Sequence, residues 1–293
     1  MNERHVVAVL GAGTMGHGIA QVCARAGYET RLADVSDAAA QAGLAKVTSM
    51  LAKLVEKKKL TADEGRDIGA RLSATGDAVA ACKGATIVIE AAPERMDLKV
   101  ELLKRVAPVV DARAIFASNT SSLSITELGQ RIGAQANTVG YHFFNPPPVM
   151  ELLEIVRGVG TSEETITRSL AFCAAIQKTP IIIKDFPGFA TSRLGVCIGA
   201  EAIRMLEQGV GKVADIDRAM ELGYRHPMGP LKLGDLVGLD VRLAILEHLH
   251  RELGEVFRPP PLLRQMVRAG RLGKKSGLGF YRWTEAGAEP SDL

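Results

Sequence analysis

Apolar positions in this chain follow two rhythms, and the balance between them changes partway along. Short, largely apolar runs occupy 6–10, 85–90, 114–118 and 181–183, the length of strands, and the first has the character of a strand buried on both faces. Between them apolar residues recur at helical spacing, as in Ile19, Ala20, Val22 and Cys23, or across 98–106. Strands alternating with helices predict an α/β fold with a mostly parallel, doubly wound sheet. The stretch 41–71 departs from that alternation: it is long, charged and helical, with a turn near 60–64 where Thr61 and Glu64 have capping-box spacing. It reads as a helical arm, either a lid over a site or a solvated hairpin, the hairpin being the commoner case. From 189 to 254 the strand rhythm is gone. Leu194, Ile198, Ile203, Leu206, Ile216, Met220, Leu231, Leu236 and Ile245 keep a helical pattern instead. Pro187-Gly188 supplies the break, so the expected division is a sheet domain over 1–184 and an all-α domain over 185–293.

Composition narrows the class. The chain has 293 residues, 47% hydrophobic and 24% charged, an ordinary globular balance with room for two domains. A formal net charge of +3 is too weak to argue for nucleic acid. Cys23, Cys82, Cys173 and Cys197 form no CxxC pair and sit among apolar neighbours, so buried free thiols are expected, with no metal site. His226, His248 and His250 lack metal-ligand spacing. The apolar run ending at Gly11 is too short for a signal peptide, and no window is apolar over membrane length. The expectation is a cytoplasmic protein with no membrane partner.

Two motifs carry chemistry. The first is Gly11-Ala12-Gly13-Thr14-Met15-Gly16, which follows the first strand, opens a helix, and is completed by a second strand, 29–33, ending at Asp34. That context is what a dinucleotide fingerprint requires. Gly11 permits the tight turn, Gly13 lets backbone approach a pyrophosphate, and Gly16 lets helix and strand pack closely. Thr14 and Met15 begin the helix whose free N–H groups and dipole favour the anion. Asp34 can accept hydrogen bonds from ribose hydroxyls and would repel a 2′-phosphate. No Arg or Lys lies between Leu32 and Gln41 to offset that repulsion, so NAD is expected over NADP. The sheet is therefore of Rossmann type.

The second motif is Val139-Gly140-Tyr141-His142-Phe143-Phe144-Asn145-Pro146, followed after two more prolines by Glu151-Leu152-Leu153-Glu154-Ile155-Val156. If the two runs pair as antiparallel strands about Pro148, His142 falls opposite Glu154. A carboxylate among Leu152, Leu153, Ile155 and Val156 is costly to bury unless something satisfies it. A histidine held by such a carboxylate is a well-oriented general base. For an arbitrary pair a structural hydrogen bond is the commoner outcome. A cofactor fingerprint in the same chain reverses that preference.

Together the motifs resemble the L-3-hydroxyacyl-CoA dehydrogenases, including the short bacterial 3-hydroxybutyryl-CoA dehydrogenases. The likeness covers nearly the whole chain. It rests on 11–16, Ser118-Asn119-Thr120-Ser121-Ser122, His142-Phe143-Phe144-Asn145-Pro146, Pro187-Gly188-Phe189, Met228-Gly229-Pro230, and Gly273-Lys274-Lys275-Ser276-Gly277 through Gly279-Phe280-Tyr281. The resemblance implies His142 as catalytic base with Glu154 orienting it, and Ser121 touching both substrate oxygen and cofactor. It further implies NAD contacts from Asn145, Glu94, Lys99 and Lys275, and a grip on coenzyme A from the arm, with Lys57, Lys58 and Lys59 near the phosphates. Dimerisation through the helical domain follows from the same likeness, so a homodimer is expected. Where the family usually has an asparagine just before an arginine, this chain has Ser192 before Arg193. A serine offers one hydroxyl in place of an amide's two groups, which puts substrate preference in question.

The expected reaction is NAD-dependent oxidation of an L-3-hydroxyacyl-CoA to the 3-oxoacyl-CoA, and its reverse. Two rivals remain: a dehydrogenase of a sugar acid or carnitine without coenzyme A, and an NAD-binding protein without catalysis. Hydroxyisobutyrate-type dehydrogenases share the glycine fingerprint but use a catalytic lysine, and the His142/Glu154 pair argues against them.

Overall fold

The computed structural model describes residues 5–291. The chain forms two compact units that divide between Phe186 and Pro187.

In the first unit, β1 (Val6–Leu10) is buried at all five positions and runs into α1 (Thr14–Arg25). β2 (Glu29–Ala33) follows, then α2 (Asp37–Glu56) and α3 (Ala62–Ala70), which are the arm. The arm begins earlier than its charge pattern suggested, because Ser36 caps α2 by accepting the Ala39 N–H. Its turn spans Lys57 to Thr61, and the Thr61/Glu64 capping box then opens α3. Val47, Leu51 and Ile68 pack with Ala24 in one apolar cluster, so the arm's inner face is anchored on α1.

The sheet continues through β3 (Leu72–Thr75), α4 (Ala78–Cys82), β4 (Ile87–Glu90), α5 (Met96–Val106), β5 (Ile115–Ser118) and α6 (Ile125–Ile132). It ends with β6 (Thr138–Phe143), β7 (Leu152–Arg157), α7 (Glu163–Ala175) and β8 (Thr179–Lys184). Strand order is β3-β2-β1-β4-β5-β6-β7-β8. All pairings are parallel except β6 with β7, so the hairpin is where the sheet changes direction. The order reverses between β1 and β4, which leaves a crevice at the carboxyl ends of those strands.

The second unit runs α8 (Thr191–Glu207), α9 (Val213–Gly223), α10 (Pro230–Val237), α11 (Leu239–Leu253) and α12 (Pro261–Arg268). Val196, Ala200, Ile203, Ile216, Leu231, Leu239, Leu246, Leu249, Leu263 and Phe280 form its core. A short antiparallel hairpin, β9 (Tyr281–Thr284) with β10 (Gly287–Pro290), supplements the helices; two four-residue strands are too short to show a rhythm in the sequence. One sequence expectation needs correction here. Cys23, Cys82 and Cys173 are buried free thiols, but Cys197 is exposed. On the same helix Leu194 and Ile198 face outward, 64% and 38% exposed. The buried face of α8 is Val196, Gly199, Ala200 and Ile203, and residue 197 lies about 100° round the helix from 196.

Candidate active site

The glycine loop is shaped by close approach. Gly11 has φ +104°, and a Cβ at Gly16 would lie 1.6 Å from the Gly11 carbonyl oxygen, so neither tolerates a side chain. Gly13 differs: nothing lies within 4 Å of where its Cβ would be. It is also the N-cap of α1 and provides no side-chain cap, leaving the first N–H groups of the helix for an incoming group. Asp34, at the end of β2, accepts the Ala12 N–H at 2.6 Å and the Val35 N–H at 2.7 Å. Its carboxylate is thereby fixed to the loop, and each oxygen keeps a second lone pair for a hydroxyl donor.

The hairpin register sets the second feature. Gly140 pairs with Val156, Tyr141 with Ile155, His142 with Glu154 and Phe143 with Leu153. Directly opposed side chains share one face, so the His142 ring meets the Glu154 carboxylate, Nδ1 to Oε2, at 2.5 Å. A carboxylate is an acceptor, so Nδ1 carries the proton in this contact. Glu154 is fully buried and His142 is 7% exposed. Phe144 leans on the imidazole with ring centroids 4.6 Å apart. The chain then turns through the Asn145–Pro146 cis peptide, and Lys178 donates to the Pro147 and Met150 carbonyls at 2.8 and 2.6 Å, holding the proline loop closed.

A third group supports the loop after β5. Lys99 is 1% exposed and donates to Glu90 Oε1 at 2.8 Å and to the Ala92 carbonyl at 3.2 Å, and its ammonium lies 3.2 Å from Glu94 Oε2. Glu94 Oε1 accepts from Thr120 Oγ1 at 2.5 Å, from the Ser121 N–H at 3.1 Å and from Ser122 Oγ at 3.1 Å. Burial works to raise the Glu94 carboxyl, but the Lys99 ammonium and these donors outweigh it and hold the group below its ordinary value. Glu90 shows the other balance. Burial pushes its carboxyl up despite Lys99, Ser118 Oγ and the Ala92 N–H.

The structure thus brings Gly11, Gly13, Gly16 and Asp34 into one feature, His142 and Glu154 into a second, and Glu94, Lys99 and Ser121 into a third. Lys99 was expected at the cofactor, yet its ammonium faces inward, where it fixes Glu90, Glu94 and a backbone carbonyl. Asn145 is exposed in the turn after β6, and Lys57, Lys58 and Lys59 are exposed at the turn of the arm. Ser192 and Lys275 belong to the second unit. Ser192 sits in the first turn of α8, and Lys275 is paired with Asp240 Oδ2 at 2.5 Å, which helps hold that carboxyl below its ordinary value against burial.

Sequence reasoning missed three residues of this framework. Ser118 donates to Glu90 Oε2 at 2.6 Å; the Asn119 N–H donates to the Glu90 carbonyl at 2.8 Å; and Asn119 Oδ1 accepts the Phe143 N–H at 2.9 Å, tying the serine loop to the histidine strand. Glu90 carried a visible signal, an acid at the end of an apolar strand, much as Glu154 is an acid within one.

Two family models match, one described as 3-hydroxyacyl-CoA dehydrogenase, NAD binding domain, over residues 6–186, the other as its C-terminal domain over 188–283. The chain belongs to the 3-hydroxyacyl-CoA dehydrogenase family. It is 45% identical to a probable 3-hydroxybutyryl-CoA dehydrogenase of Bacillus subtilis, over 95% of this chain and 97% of that protein. It is 42% identical to the 3-hydroxybutyryl-CoA dehydrogenase of Bradyrhizobium diazoefficiens, over 97% of this chain and 96% of that one. Among solved structures, the (S)-3-hydroxybutyryl-CoA dehydrogenase of Ralstonia eutropha superposes with a TM-score of 0.92 at 43% identity, covering 97% of this chain and all of the other. As a member of the 3-hydroxyacyl-CoA dehydrogenase family, the chain is an NAD-dependent oxidoreductase, and its first unit is the NAD-binding domain. The glycine loop fits that cofactor: the open space at Gly13, the uncapped start of α1 and the anchored Asp34 carboxylate suit a pyrophosphate and an unphosphorylated ribose.

Proposed function

We propose that this protein interconverts an L-3-hydroxyacyl-CoA and the 3-oxoacyl-CoA, with a short-chain substrate of the 3-hydroxybutyryl class, and that His142 is its general acid–base. The observation that carries the reading is the 2.5 Å contact between His142 and a fully buried Glu154 in a chain that also holds an NAD fingerprint. NAD, when bound, supplies the hydride acceptor. The protein's residues supply position and proton transfer. With Nδ1 engaged by Glu154, proton exchange runs through Nε2, which takes the 3-hydroxyl proton as the C3 hydride leaves. The imidazolium so formed has its counter-charge already in place in Glu154, a positioning residue. Ser121 orients the reacting oxygen from a loop whose backbone Glu94 holds, so Lys99 acts on that loop through Glu94. Ser192 is assigned the same task from the second unit, and Asn145 and Lys275 contact with the cofactor. Lys57, Lys58 and Lys59, exposed cations at the turn of the arm, suit the phosphates of coenzyme A. Leu194 and Ile198, exposed on α8, support a homodimer built on the helical unit. A cytoplasmic location remains our expectation; among the described residues no helix is long and apolar enough to cross a membrane.

The test is NADH oxidation with acetoacetyl-CoA, beside free acetoacetate and an NADPH control. Turnover is expected to require both NADH and the thioester. His142→Gln is expected to lower kcat by about 100- to 10,000-fold with NADH affinity unchanged. Near-normal turnover in that variant would remove His142 from the mechanism. Bound NADH without thioester turnover would redirect the substrate toward another hydroxy acid.

A further inference from the structure

One carbonyl of the glycine loop carries a hydrogen bond that a helix start does not require. The Gly13 carbonyl, at the N-cap of α1, accepts the His17 backbone N–H at 3.2 Å, the ordinary first bond of the helix. It also accepts from the side chain of the same residue, Nδ1 to oxygen at 2.6 Å, the shorter of the two contacts. A carbonyl can only accept, so Nδ1 carries the proton, and both lone pairs of the oxygen are engaged. His17 is 7% exposed, so little water competes for this bond.

Other helices of the first unit begin differently. Ser36, Thr61, Asp77, Ser124 and Ser162 cap α2, α3, α4, α6 and α7 by accepting an N–H of the first turn. A cap of that kind on α1 would occupy the donors that a pyrophosphate needs. In α1 the polarity is inverted: the side chain comes from within the helix, donates to the N-cap carbonyl, and leaves those N–H groups open. The Gly13 C=O and the Thr14 N–H belong to one planar trans peptide and point in opposite directions. Holding the oxygen down the helix therefore aims the Thr14 N–H outward from its start. A bond accepted at the oxygen also polarises the peptide and makes that N–H a stronger donor.

We propose that His17 is a cofactor-positioning residue, whose imidazole pins the Gly13–Thr14 peptide so that the Thr14 N–H is set for the pyrophosphate of NAD before the cofactor arrives. Gly13 has no side chain to restrain its own peptide, and the residue one turn on supplies the restraint. An amide already in place loses no freedom on binding, so the effect falls on the phosphates and not on the adenosine. The inference rests on the NAD-binding domain and is independent of the reaction assigned to His142.

Calorimetry on the full chain tests it, with NADH, ADP-ribose and adenosine titrated into wild type, His17→Leu and His17→Asn. Leucine places a carbon where Nδ1 stood, whereas asparagine returns an N–H donor at the same number of bonds from the backbone. His17→Leu is expected to weaken NADH and ADP-ribose by the same factor, about three- to tenfold, the worth of one ordinary hydrogen bond. Adenosine affinity is expected to stay as in wild type, and His17→Asn to bring ADP-ribose back to within about twofold of it. A bond that merely stiffens the helix would weaken adenosine along with ADP-ribose, or leave both unchanged. Either result overturns the proposal, as does asparagine behaving like leucine. Proton–nitrogen correlation NMR of the wild-type imidazole gives a reading that does not depend on how the variants fold. Nδ1 is expected to be protonated in the free and the NADH-bound protein, and a bare Nδ1 would overturn the proposal.

Discussion

Glu154 in the first unit and Asp235 in the second are both carboxylates at 0–1% exposure, yet their partners differ in kind. Glu154 meets an imidazole, whose two ring nitrogens can donate and accept a proton. Asp235 accepts the Phe280 N–H at 3.0 Å, the Tyr281 N–H at 2.8 Å and the Trp283 indole N–H at 2.9 Å, none of which titrates. Its neighbour Asp217 does likewise for the Leu231 and Lys232 N–H groups and the Tyr281 hydroxyl, at 2.8, 2.9 and 2.7 Å. A buried acid on a titratable partner can take part in proton transfer; a buried acid on amide donors ties chain segments together. Two C-terminal motifs follow from the second kind. A Cβ at Gly229 would lie 2.2 Å from Asp217 Cγ, and one at Gly279 would lie 2.2 Å from Asp235 Oδ1, so these glycines make room for the acids.

The comparison breaks if the two acids can be exchanged in role. The largest effect is expected from Glu154→Gln, which keeps an acceptor for Nδ1–H but removes the counter-charge. Steady-state kinetics should show kcat lower by about 100- to 10,000-fold, with the melting temperature little changed. Asp235→Asn should do the reverse. One acceptor oxygen becomes a donor facing donors, so chemical denaturation should report a loss of about 3 kcal/mol, with kcat/KM intact while the protein is folded. A smaller loss, about 1–3 kcal/mol by the same measurement, is expected for Gly229→Ala, from crowding Asp217 alone.

The smallest effect is in pH and differs in sign between the units. Burial raises Asp235 in the fold. Its native form therefore holds its proton longer than the unfolded chain does, and stability falls as pH rises through and above about 4. Glu94 is lowered, so its contribution is present above the ordinary glutamate range and lost as pH falls below it. The stability gap between wild type and Asp235→Asn should narrow with rising pH, while the gap to Glu94→Gln should widen. Denaturant midpoints from pH 3 to 7 read both, and parallel curves would mean the two acids do not differ in this way.

Much of this was legible in the sequence because it is local. The strand–glycine–helix order of 6–24, the Thr61/Glu64 cap and the hairpin centred on Pro148 each depend on residues within a few turns or strands of one another. Antiparallel pairing about Pro148 is enough to set His142 opposite Glu154. The arm's true start was less clear, since Ser36 acts as a cap only if residue 37 begins a helix.

The sequence by itself determined the fold class, the dinucleotide loop and the histidine–glutamate pair, because strand register and turn geometry follow from short-range pattern. Tertiary structure alone decided that Lys99 turns inward to Glu90 and Glu94, that Asp235 holds a hairpin 45 and more residues away, and that Arg242 lies buried against two glycines. Charge satisfaction in a low-dielectric interior depends on which distant groups the packing brings together, and no local pattern encodes that.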